Sequence, residues 1–254
     1  MEPLLKGSYM RSSNPVLTGP GFARINPDVL DRPAAQETVN GYESRPTHAP
    51  VSMDDVVIRT AGLFIVLVAV GAFAWVSNLG GTAMLIGLLG GFALALVNTF
   101  SRRVRPALII AYAGFEGLAL GGISKAYEVQ FPGIINQAVL ATICAFGGVL
   151  FAYSRKKIRV TPKFTRILMA ATLGYLVVGI ISMFTNLGGS PIVAVVGVAL
   201  ATFFIILDFD QIERAIAARL PQEESWRLAF GLMVTLVWLY LEVLRLISAL
   251  RDRN

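Results

Sequence analysis

The sequence predicts an all-α integral membrane protein, a bundle of seven transmembrane helices, on three observations. Of its 254 residues 55% are hydrophobic and only 15% are charged, and the mean hydropathy is +0.66, more apolar than a soluble domain needs. The apolar residues gather into seven runs, about 56–77, 81–100, 106–126, 133–153, 166–186, 190–210 and 226–249. Each is close to the roughly 20 residues that cross a hydrocarbon core. Lysine and arginine, finally, collect in alternate joints between the runs, the pattern by which membrane topology is encoded.

Residues 1–54 are rich in Pro, Gly, Ser, Asn and Arg without a sustained apolar period, so they read as a disordered tail. The tail lacks the apolar core of a secretory leader, so the amino end is expected in the cytoplasm. Residues 55–254 form a single membrane domain. Its first run stops at "SNLGG", and its second carries "GLLGG" (Gly87 to Gly91) before the basic joint "SRRVRP". The third opens on Pro106, carries "GLALG" (Gly117 to Gly121) and stops at "YEVQFPG". Glycines at i and i+4 permit close helix packing in lipid, although small residues are also simply common in such helices. The fourth run gives way to "SRKKIRVTPKFTR", the fifth to "TNLGGSP", and the sixth, through "QIERAIAARLPQEESW", to the seventh. The echo of "SNLGG" in "TNLGG" fits either a duplicated hairpin or shared turn chemistry.

Arg102, Arg103 and Arg105 follow the second run, six basic residues from Arg155 to Arg166 follow the fourth, and Arg214, Arg219 and Arg227 follow the sixth. The positive-inside rule places these joints and the tail in the cytoplasm. Seven spans then carry the carboxyl end outside, where Arg251 and Arg253 are mildly discordant; a tilted or incomplete last span is the alternative. The net charge of +6 resides in these joints, so it speaks for topology and against nucleic-acid binding. The single cysteine, Cys144, lies in an apolar run and the single histidine, His48, in the tail. A disulfide framework and a Cys/His metal set are thereby excluded, and no cofactor is expected.

Ionisable groups at membrane depth are costly, so each is a functional candidate. Glu116 lies mid-run, about 15 Å along the helix from Pro106; it either lines a polar intramembrane site or keeps helices in register through a hydrogen bond. Glu242 stands in an apolar helix with Arg245 three residues on, an i,i+3 pair that lowers the cost of both charges; the other reading turns Glu242 toward the bundle centre. Asp208 and Asp210 are roughly 200° apart around a helix. Asp208 shares the face of Phe204, Ile205, Gln211 and Ile212, expected to point inward, while Asp210 falls beside Arg214 as an interfacial charge. Composition by itself makes both aspartates the cytoplasmic cap of the sixth span.

Three segments resemble the Bax inhibitor-1 (transmembrane BAX inhibitor motif) family. They are "YAGFEGLALGGIS" from Tyr112 to Ser124, "ILDFDQI" from Ile206 to Ile212 and "LYLEVLRLI" from Leu239 to Ile247, in order on the third, sixth and seventh spans. The resemblance covers about residues 52–250 and leaves the tail outside; "RSSNP" and "RVTPKFTR" look like its actinobacterial branch. It implies six helices around a central seventh and a place in the bacterial inner membrane. It also implies a pH-sensitive calcium leak gated by a carboxylate pair between helices six and seven, aligned here with Asp208 and Glu242. Two carboxyls within hydrogen-bond reach in a partly dry site share a proton and titrate as a pair, and carboxylate oxygens suit calcium as the permeant ion. Many relatives have Asp in place of Glu242, and the connection between spans six and seven is longer here. An arginine at the cytoplasmic end of the second helix is a latch partner in relatives, for which Arg102 is the nearest match and Arg103 the next.

The same resemblance implies a second class, a membrane interaction protein acting on a membrane-bound quality-control protease or a stress response without transport. An intramembrane enzyme is not expected: the Gly-x-Gly-Asp arrangement of aspartyl intramembrane proteases is absent. Ser124 and Lys125, being adjacent, point about 100° apart.

Overall fold

The computed structural model describes residues 49–252 except 78, 156–159, 183 and 186–189. The tail up to residue 48, most of the "TNLGGSP" joint and the middle of "SRKKIRVTPKFTR" lie outside the described residues. Seven helices follow in order: α1 Met53–Val76, α2 Gly80–Phe100, α3 Pro106–Gln130, α4 Ile134–Ser154, α5 Pro162–Ser182, α6 Pro191–Ala217 and α7 Glu224–Arg251. All seven are long and apolar enough to span a membrane, so the chain is the all-α seven-span bundle its composition predicts. Among the described residues there is no strand, only an isolated bridge between Pro50 and Pro221.

Local chemistry sets the helix ends. Ser52 starts α1 through a capping box, its hydroxyl accepting from Asp55 N–H while the Asp55 carboxylate accepts from Ser52 N–H, which satisfies two otherwise orphaned donors. Pro106 and Pro191 open α3 and α6, where a missing N–H costs nothing. Gly133 turns the chain into α4 at φ 79°, and the Glu128 carboxylate at the end of α3 accepts from Gly133 N–H at 2.7 Å and Ile135 N–H at 3.3 Å.

The largest departure from the expected boundaries is at α6, which runs on from residue 210 to Ala217. The reason is amphipathicity: Phe209, Ile212 and Ala215 are buried at helical spacing, so one face keeps packing after hydropathy falls. The helix stops where Arg219 adopts φ 50°, and Leu220 N–H reaches Ala215 O at 3.1 Å while Arg219 N–H reaches Ile216 O at 3.0 Å. That is a Schellman closure with arginine in the position glycine usually fills.

Side by side, α3 packs on α1 and α2, and α7 lies against α1 and α3 on one side and α4 and α6 on the other. Two apolar clusters meet on α7, one joining it to α4 and α6 and the other to α1 and α3. α5 docks on α6 through Leu168, Leu200 and Leu207. The seventh helix is thus interior, and α2 meets the bundle chiefly through α3. In lipid, close approach replaces the hydrophobic effect as the source of attraction between helices. Both glycine motifs serve it. A Cβ on Gly117 would stand 2.5 Å from Leu67 O, one on Gly121 would overlap Gly71 O, and one on Gly87 would overlap the α3 backbone at Ala119.

The segment entering α1 is stitched to the α6–α7 connection. Val51 N–H donates to Leu220 O and Gln222 N–H to Ala49 O, both at 2.9 Å. The Gln222 amide donates to Asp55 Oδ1 at 2.7 Å, and the Arg59 guanidinium donates to Gln222 O while lying 5.2 Å from the Trp226 ring. Arg59→Met should lower stability by about 2 kcal/mol, one charged hydrogen bond plus part of a cation–π contact. Thermal unfolding in detergent reads this out, and an unchanged midpoint would show the stitch to be unimportant.

At the opposite end, Arg251 donates to Pro132 O at 2.9 Å and to Gln137 Oε1 at 2.8 Å. The end of α7 is thereby tied to the α3–α4 turn, and the helix is long and apolar enough to span. Arg253 lies outside the described residues.

Candidate functional site

The seam between α6 and α7 encloses both candidate carboxylates. The two helices run antiparallel, and Ile205, Ile206, Phe209 and Ile212 of α6 bury against Leu232, Leu236, Leu239 and Val243 of α7. Asp208 rides on this face. Its Oδ2 accepts from the Thr235 hydroxyl of α7, and its Oδ1 faces Gly231.

Thr235 is well placed to serve either protonation state of Asp208. Its hydroxyl oxygen also lies 3.2 Å from Gly231 O and 3.1 Å from Leu232 O. It can donate to an ionised Asp208, or accept from a protonated one while giving its own hydrogen to the α7 backbone. An ionised Asp208 has only this one side-chain donor among the described residues, so its remaining lone pairs call for water or a cation.

Glu242 is 6% exposed and sits at another level. Its Oε1 accepts from the Tyr175 hydroxyl of α5 at 2.7 Å and from Trp238 Nε1 at 3.1 Å. Its Oε2 is 3.6 Å from the Arg245 guanidinium, which also donates to the Tyr175 hydroxyl at 3.2 Å. Oε2 accepts no hydrogen bond among the described residues. It packs on Gly197 of α6, where a Cβ would overlap both Glu242 and Tyr175.

The expected meeting of Asp208 with Glu242 does not occur in this structure. Thr235, which holds Asp208, is seven residues or about 10 Å along α7 from Glu242, and the carboxyls share no hydrogen bond among the described residues. They are two separate stations in one seam. The register follows from which side chains fit: Asp208 opposite Gly231 and Thr235, Glu242 opposite Gly197.

The other sequence candidates fall elsewhere. Arg214 Nε lies 2.7 Å from Asp210 Oδ2 on the half-exposed outer side of α6. Glu116 faces Gly91 of α2, one turn from Tyr112 on its own helix, and lies on α3 away from both seam carboxylates. Arg102 and Arg103 are exposed and reach neither seam carboxylate. The arginine that ties this turn to the seventh helix is Arg227, which donates to Ser101 O and Arg102 O at 3.2 Å each.

Sequence reasoning missed Thr235, Tyr175, Trp238 and Gly197. A polar hydroxyl one helical face from an acid was a weak signal for Thr235, and the i−4 spacing of Trp238 from Glu242 was a stronger one. Nothing local pointed to Tyr175, which is 67 residues from Glu242 in the chain.

A sequence model of the family described as Bax inhibitor 1 like matches residues 26–252. The match begins inside the segment that the sequence reading set outside the resemblance. No curated protein matches the chain.

Proposed function

The chain belongs to the Bax inhibitor 1 like family of membrane proteins, and from that premise we propose that it is a pH-sensitive, calcium-permeable leak whose gate is the α6–α7 seam. The observation that carries the proposal is the enclosure of two carboxylates, Asp208 and Glu242, in the contact between two helices long and apolar enough to span a membrane. Such groups are costly there and commonly mark a path for ions or protons. The gate reads as two stations in series in place of one shared-proton pair.

With Asp208 protonated, Thr235 completes a closed hydrogen-bond set and the seam stays dry. Loss of the proton leaves an anion with too few donors, which favours a hydrated, parted seam. Carboxylate and hydroxyl oxygens then suit a hard cation such as calcium, which takes 6–8 oxygen ligands, largely from water in a transient site. Flux therefore rises with pH. The basic joints, and with them Asp208's end of α6, face the cytoplasm by the positive-inside rule.

The test is calcium flux into liposomes carrying the purified protein, measured against pH. Asp208→Asn should flatten the pH dependence, and Asp208→Asn with Glu242→Gln should also change the rate several-fold. If the double variant keeps both rate and pH profile, the seam is not the gate.

A second reading is a membrane interaction protein acting on a quality-control protease or stress response. It draws on the exposed Arg102, Arg103 and Arg105 at the end where the stitched entry segment also lies. Photocrosslinking from these positions that recovers no consistent membrane protein would remove it.

A further inference from the structure

A cleft of about 660 Å³ opens sideways between α1 and α4, with α3 and α7 as its floor. We infer that it binds one acyl chain of a glycerophospholipid from the leaflet on the side of the α3–α4 turn. Its walls are apolar: Val68 and Ala72 from α1, Val139 and Ile143 from α4, over Leu120 of α3 and Leu236 of α7. Val68, Val139 and Ile143 are exposed and belong to the outward surface of a membrane-spanning bundle, so the cleft is continuous with the face that lipid already covers.

Length selects the chain. The α1 wall runs from Phe64 to Val76 and the α4 wall from Ile135 to Phe146, each about 17 Å at 1.5 Å per residue. That is close to half of a hydrocarbon core about 30 Å thick, one leaflet.

Polarity selects the orientation. Deep in the cleft, the hydroxyls of Ser124 and Tyr240 satisfy each other at 2.8 Å and offer a ligand little. Polar groups gather at the helix-end mouth, where Trp75, Glu128 and Asn136 line the cleft. The Glu128 carboxylate is occupied by the backbone N–H groups of Gly133 and Ile135. Asn136 is exposed and its side chain makes no hydrogen bond among the described residues, which leaves its amide to meet the ester or phosphate oxygens of a lipid head. Trp75 lies at the same level, where indole rings anchor to the interface. Its backbone carbonyl accepts from Lys125 at 2.9 Å, which ties the end of α1 to α3. The pocket size is within the range of about 300–1,000 Å³ typical of specific small-molecule sites.

Lipid binding here rests on the membrane bundle and not on the proposed leak, and its test needs no flux measurement. The full-length protein is placed in phosphatidylcholine nanodiscs doped with a phosphatidylcholine bearing a photoactivatable group in mid-chain. After irradiation, adducts are mapped by peptide mass spectrometry. Adducts should concentrate several-fold on residues 64–76 and 135–146 over the outward faces of α2 and α5. Ala72→Phe with Val139→Phe should abolish that excess, and Asn136→Leu should reduce it. Even labelling of all outward faces in the unaltered protein overturns the inference whether or not the variants fold. An excess that persists in a folded, filled variant overturns it too, as does a covalent dimer formed by crosslinking Val139→Cys in a Cys144→Ser background, which removes the exposed native thiol of α4, since a second copy would then occupy the cleft.

Discussion

Glu242→Ala is expected to lower the stability of the folded bundle by about 3–5 kcal/mol, as removal of one partner from a buried ionic cluster commonly does. The substitution leaves the Tyr175 hydroxyl and Trp238 Nε1 without their acceptor, at about 1–3 kcal/mol each. It also opens a void where Oε2 packs on Gly197. Glu242→Gln keeps an acceptor oxygen for both donors and should cost only about 1 kcal/mol. Thermal unfolding in detergent, followed by tryptophan emission, reads both the midpoint and the loss of the Trp238 hydrogen bond. An unfolding midpoint for Glu242→Ala equal to that of the parent would mean that α5 is not held to α7 through this cluster.

The second large effect is expected at the α1–α3 contact. Gly121→Leu should cost about 3 kcal/mol or more, because its Cβ would run into the Gly71 backbone carbonyl, an atom that cannot swing aside. Gly114→Ala, on the same helix but with open space at its Cβ, should be neutral or should stabilise by up to about 1 kcal/mol through helix propensity. The pair separates close packing from a general need for small residues. Equal unfolding midpoints for the two variants would return the "GLALG" motif to the ordinary composition of membrane helices.

Much of the fold was legible in the chain because the bilayer imposes it. A span must satisfy its own backbone hydrogen bonds, so each apolar run of sufficient length had to be a helix, and all seven are. Where α6 ends was less legible: hydropathy fades at Asp208, but the helix follows the buried face through Ile212 and Ala215 to Ala217. This moves Asp208 from a helix cap, its reading from composition, to the interior of a helix.

The candidate site divides along the same line. That Asp208 and Glu242 stand on apolar helices six and seven could be read directly, as could the i,i+3 and i,i+4 neighbours Arg245 and Arg214. Those spacings are properties of one helix and need no partner. The long-range contacts could not be read: Tyr175 on Glu242, Thr235 on Asp208, and Arg227 on the turn where Arg102 was expected to act.

Taken alone, the sequence determines that the chain crosses a membrane seven times, and which segments do so, since span length and backbone satisfaction are local requirements. The tertiary structure decides the register between α6 and α7, which sets Asp208 against Thr235 and Glu242 against Gly197. It also decides the gap between α1 and α4 that forms the lipid-facing cleft. Register and gaps depend on which side chains from distant segments fit together, as Glu242 fits Gly197 and Gly121 fits Gly71, and such fits have no local signature.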